Sequence, residues 1–99
     1  MSDEWTSEQR AEVEAAHERY TEIERREDIK LHLGSMVRIY INLHSKAPEG
    51  SPEREEYKRL IDYWTDRKKR RFSMSREEGD RILRELPQEV ARLKREHGL

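Results

Sequence analysis

Glu14 and His17 stand three residues apart, the spacing by which one helix offers a carboxylate and an imidazole to a single metal ion. Carboxylate-bridged metal pairs in helical bundles need that motif twice, with further inward glutamates, and here it occurs once. His32 and His44 lie further along the chain and His97 near its end, none at ligand spacing from another histidine. A helical-bundle enzyme or metal protein built on Glu14, His17, His32 and His44 is therefore carried as an alternative, and no cofactor is expected.

The strongest local feature is the basic run Arg67-Lys68-Lys69-Arg70-Arg71, flanked by Trp64 and Phe72. Five consecutive cations wind about one and a half turns around a helix, so some of them face solvent whatever packs nearby. Such a patch can grip phosphates with an affinity that falls steeply with salt. The plainer reading is a helix C-terminus, where cations suit the dipole, paired internally with acidic sequence elsewhere. Arg67, Lys68, Lys69, Arg70, Arg71 and Trp64 are the expected partner-binding residues.

The pairing idea has a basis in the charge pattern. Residues 1–28 carry ten acids and four bases, and residues 53–71 carry eight bases and five acids. The formal net charge of −1 thus conceals a dipolar molecule. Glu8, Glu12, Glu14, Glu18, Glu22 and Glu24 wrap the acidic segment at 8–28, which offers a second surface for a protein or nucleic-acid-containing partner.

Catalytic signatures are missing. There is no nucleophile elbow, phosphate-cradling glycine loop or dinucleotide fingerprint, and no cysteine for a thiolate site or disulfide. The cysteine count suits a reducing compartment such as the cytoplasm. The opening Met1-Ser2-Asp3-Glu4-Trp5 is acidic and lacks the apolar stretch of a secretory signal, and no run approaches membrane-spanning length.

The elements that must position these residues read as helices. Residues 1–5 form a frayed lead and 6–99 a single helical domain. Thr6-Ser7-Glu8-Gln9 fits a capping box, after which Val13, Ala16, Tyr20, Ile23 and Leu31 trace one thin stripe over a helix at about 7–32. A stripe that narrow suits a helix at a bundle edge, or one meeting a partner helix. Residues 29–44 are ambiguous. Alternation of Ile29, Leu31, Leu33 and then Val37, Ile39, Ile41, Leu43 about Gly34-Ser35 fits a hairpin, which would make the fold α+β. The 3.6-residue period fits a helix at 36–46 capped by Ser35 after a stop at Gly34. A lone hairpin is poorly stable, which favours the helix.

Ser51 and Pro52 start a third helix at 52–71, with Tyr57, Leu60, Ile61, Trp64 and Phe72 on its buried face. Ser73 or Ser75 opens the last segment, which Pro87 kinks or divides into 75–86 and 87–97. The expected fold is an all-α bundle of four to five helices. Leu, Ile, Val and Phe supply only 18 of 99 residues, so the core is small and homodimerisation would bury more surface.

These features predict a small, non-catalytic interaction or regulatory module that docks on a macromolecular partner through charged faces. One alternative is an acidic-helix inhibitor that mimics nucleic acid, as phage-borne anti-defence proteins do. Another is a de novo designed bundle, suggested by the clean capping signals and charge-filled surfaces.

Overall fold

The computed structural model describes residues 6–99, and the expected N-terminal lead at 1–5 lies outside the described residues. The chain forms three α-helices, α1 (Ser7–Lys46), α2 (Pro52–Lys69) and α3 (Arg76–His97), with a single 3₁₀ turn at Arg71–Ser73. It is all-α, as expected, but with three helices rather than four or five. Both merged boundaries have physical reasons.

The first lies at Gly34. α1 runs unbroken through it, and the hairpin alternative is overturned with the same stroke. Gly34 takes no left-handed backbone conformation, so it does not act as a cap. Instead it is buried where the Lys68 side chain of α2 crosses α1: a Cβ there would sit 3.6 Å from Nζ of Lys68. Ile29, Leu33, Met36, Tyr40 and Leu43, spaced four and three residues apart, bury one helical face, and that burial outweighs the β-preference of Ile29, Val37, Ile39 and Ile41.

The second lies at Pro87, which α3 also carries internally. A proline inside a helix costs about 3 kcal/mol. Here Ile82, Leu86 and Leu93 are buried along one face of α3, with Val90 half-buried between them, so the helix gains more by staying in phase than by stopping.

Each helix starts with side-chain capping. Thr6 accepts from the Gln9 amide at 3.2 Å while Gln9 Oε1 accepts from the Thr6 amide at 2.9 Å, completing the expected box. Ser51 accepts from the Arg54 amide at 3.2 Å, and Ser75 rather than Ser73 caps α3, accepting from Glu78 at 3.1 Å.

α1 is the spine. α2 returns antiparallel along it, α3 runs parallel to it, and both rest on α1 far more than on each other. Gly79 permits a close approach of α3 to α1, since a Cβ there would lie 3.2 Å from Ile29 Cδ1 and 2.7 Å from an Arg25 nitrogen. α3 therefore begins level with residues 22–29 of α1, and the first turns of α1 continue past the bundle as an unaccompanied arm. The extents are 73 × 27 × 19 Å, and the radius of gyration of 19.7 Å far exceeds the ~13 Å of a compact chain this long.

Candidate functional site

The basic run does not stay together as one patch. α2 ends at Lys69, the chain turns through Arg71–Ser73, and the five cations are dealt to different tasks. Arg67 points inward: its Nη2 donates to Glu78 Oε1 at 2.6 Å, and its guanidinium lies 5.2 Å from the Trp64 ring centre and 5.8 Å from that of Tyr63. With its side chain only 20% exposed, Arg67 ties α2 to α3. Trp64 is half-buried beneath it, edge-on to Tyr63 at 5.1 Å between ring centres. Lys68 is half-buried over Gly34.

The remaining three reach the surface to different degrees. Lys69 is exposed. Arg70 pairs with Asp66 one turn back on its own helix, with its side chain 72% exposed. Arg71 donates from Nη1 to the Lys68 carbonyl at 2.7 Å, satisfying one of the free acceptors at the end of α2. Its guanidinium then lies 4.4 Å from the Phe72 ring centre.

Phe72 departs from expectation. The helical phase of Tyr57, Leu60, Ile61 and Trp64 would bury it, but α2 stops three residues short and the 3₁₀ turn swings the ring outward. Phe72 is 73% exposed, the most exposed large apolar side chain of the described residues.

Two clefts flank this corner. One, of about 350 Å³, is lined by Arg25, Arg26, Arg71 and Arg76 together with Phe72 and Glu22. The other, of about 690 Å³, is lined by Arg67, Arg70 and Arg81 with Glu78. Arg25 is committed: it donates to the Arg76 carbonyl at 3.0 Å and pairs with Asp80 at 2.8 Å. Arg76 holds Glu22 only loosely, at 3.4 Å. The corner thus gathers cations from all three helices around one exposed aromatic ring. Arg25, Arg26 and Arg76 were not among the residues expected from sequence, because they come from segments with no basic run of their own.

Internal pairing of the acidic and basic segments does not occur as expected. Among the described residues no ion pair joins 8–28 to 67–71; the acidic segment is tied instead to the start of α3, through Glu22–Arg76 and Arg25–Asp80. Glu14 and His17 are both exposed on the arm, and His32 and His44 are half-buried further along α1. Among the described residues no three His, Asp or Glu side chains cluster as metal ligands would.

Groups with altered proton affinity lie away from this corner. Burial pushes the Tyr40 hydroxyl above its ordinary value, and the nearby Glu89 carboxylate adds to the effect. Hydrogen bonds from Arg59 and Arg92 hold Glu56 and Glu89, respectively, below the usual carboxylate range.

Comparison with protein-family models, curated proteins and solved structures gives no match to this chain. No helix among the described residues is long and apolar enough to cross a membrane.

Proposed function

We propose that this protein is a non-catalytic interaction module that docks on the phosphates of a nucleic acid or nucleoprotein through the corner between α2 and α3. The observation that carries this reading is Phe72: a bare aromatic ring at the tip of the corner, with Arg71 over its face and an arginine-lined cleft on either side. Leaving that ring in water forfeits apolar burial, and surrounding cations suit a polyanion. Aromatic rings and guanidinium planes together are what stack unpaired bases while backbone phosphates are held electrostatically. Lys69, Arg70, Arg71, Phe72 and Arg76 carry the contact. Arg67 and Trp64 support it from within, because the Glu78 pair already occupies Arg67.

The test is fluorescence anisotropy with labelled single-stranded and duplex oligonucleotides across a salt series. Binding should weaken linearly in log–log form with salt, and Lys69→Gln/Arg70→Gln/Arg76→Gln should lower that slope by about two. Phe72→Ala should cost roughly tenfold on single strands, as loss of one stacking platform does. No binding at low salt, or binding that none of these changes alters, removes the reading.

The alternative, in which the acidic arm itself imitates a nucleic acid, draws less support. Arg10, His17 and Arg19 interrupt its carboxylates, so the arm presents mixed charge rather than an evenly negative surface.

A further inference from the structure

The arm carries a second surface, independent of the basic corner. Val13, Tyr20 and Ile23 are 46%, 60% and 57% exposed, and Ala16 is exposed between them. Their spacing of three, four and three is that of the alternating core positions of a coiled coil, over two heptads. At 100° per residue this stripe lies about 160° around α1 from the buried stripe that begins at Ile29. The stripe therefore faces away from the surface on which α2 and α3 pack, and its side chains stay in solvent.

We infer that a second copy of this chain covers the stripe, the two arms pairing as a short antiparallel coiled coil. The side-chain sizes select this arrangement, and the flanking charges fit it. With the arms antiparallel and centred near residue 18, Val13 meets Ile23 of the other copy and Ala16 meets Tyr20, so a large side chain always faces a smaller one. On one flank Arg10 then meets Glu24 of the other copy, and on the other Glu12 meets Arg26. Symmetry repeats each pair, giving four opposite-charge contacts at the positions that set orientation in coiled coils. At the midpoint each flank sets a residue against its own copy, His17 on one side and Arg19 on the other, and Glu22 lies one turn from the Arg19 pair.

A parallel pairing fits worse. It sets Tyr20 against Tyr20 and Ala16 against Ala16, and its next core positions put Glu27 against Glu27 and Lys30 against Lys30. It would also force the two bundles side by side, whereas the antiparallel form places them at opposite ends. Two heptads alone would be a marginal coiled coil, but here each helix is already propagated from the folded bundle, so association does not bear the cost of nucleating it.

Sedimentation equilibrium on the full chain should show a reversible monomer–dimer equilibrium. Tyr20→Glu/Ile23→Glu should leave only monomer, with the bundle's thermal midpoint little changed because neither side chain touches the core. Since the chain has no cysteine, Glu8→Cys takes a single nitroxide, and the two labels should lie about 30 Å apart in the antiparallel dimer, against about 10 Å in a parallel one. Glu12→Arg should weaken association about tenfold, and Glu12→Arg/Arg26→Glu should restore it. A monomer at all concentrations, a dimer that survives Tyr20→Glu/Ile23→Glu, a short label distance, or a charge swap that fails to restore pairing each overturns the inference. None of these readouts depends on the oligonucleotide measurements.

Discussion

The two halves of α1 belong to one continuous helix, yet they live under different rules. Residues 29–46 bury Ile29, Leu33, Met36, Ile39, Tyr40 and Leu43 against α2 and α3. Residues 7–23 carry a stripe of the same heptad kind, but among the described residues Glu22–Arg76 is their one ion pair to another helix. What separates them is phase. The step from Ile23 to Ile29 is one residue short of a heptad, and over the charged stretch Glu24–Asp28 the apolar surface passes from one side of the helix to the other. A helix can thus be amphipathic along its whole length and still be committed to two different surfaces.

The sharpest way to break the comparison is to remove matching apolar side chains from the two halves. Leu33→Ala, at a position with no exposure, should cost about 2–5 kcal/mol, a large share of the stability of so small a domain. Ile23→Ser should change it by under about 0.5 kcal/mol in dilute, monomeric protein. Urea denaturation followed by circular dichroism measures both, and equal losses would mean that the arm is part of the core.

A smaller effect probes the join. If Gly34 merely tolerates its place in a continuous helix, Gly34→Ala should stabilise by roughly 0.5–1 kcal/mol through helix propensity. The added methyl would meet Arg38 at 3.4 Å and Lys68 at 3.6 Å, ordinary contact distances. Destabilisation in the same denaturation assay would show that Lys68 needs the groove that glycine leaves.

The smallest effect distinguishes the halves by pH. The folded pKa of Tyr40 is raised, so the unfolded chain ionises first as pH climbs past 10. Stability should therefore hold below pH 10 and decline above it as the folded hydroxyl resists ionisation. Tyr40→Phe should flatten that decline in alkaline thermal melts, whereas an unchanged decline would place its origin elsewhere.

Much of this architecture was legible in the residues. The capping box at Thr6–Gln9, the Ser51-Pro52 start and the helical period of Ile82, Leu86, Val90 and Leu93 each announce local structure, and local structure is what spacing encodes. Gly34 and Pro87 misled because the preferences of a glycine or a proline are worth a few kcal/mol at most, less than the packed face that overrides them. The stripe from Val13 to Ile23 was visible, including its suitability for a partner helix, and Leu31 is exposed on the same side of α1; that this side faces away from the bundle depends on the phase break. The basic run was equally plain. Its division into a clamp at Arg67, a cap at Arg71 and an exposed tip at Phe72 was not, because it turns on where α2 stops and on Glu78, Glu22 and Arg76 arriving from elsewhere in the chain.

That dependence on distant segments has a bearing on assembly. Arg25 reaches the carbonyl of Arg76 across a separation of 51 residues, and the cleft beside Phe72 has walls from α1, the turn and α3. The α1–α2 hairpin can close early because its contacts are nearer in sequence, while seating Gly79 on Ile29 closes a longer loop of chain. A chain halted before that last docking step would possess every one of its arginines and still lack the cleft. The basic corner is in this sense a certificate of completed folding.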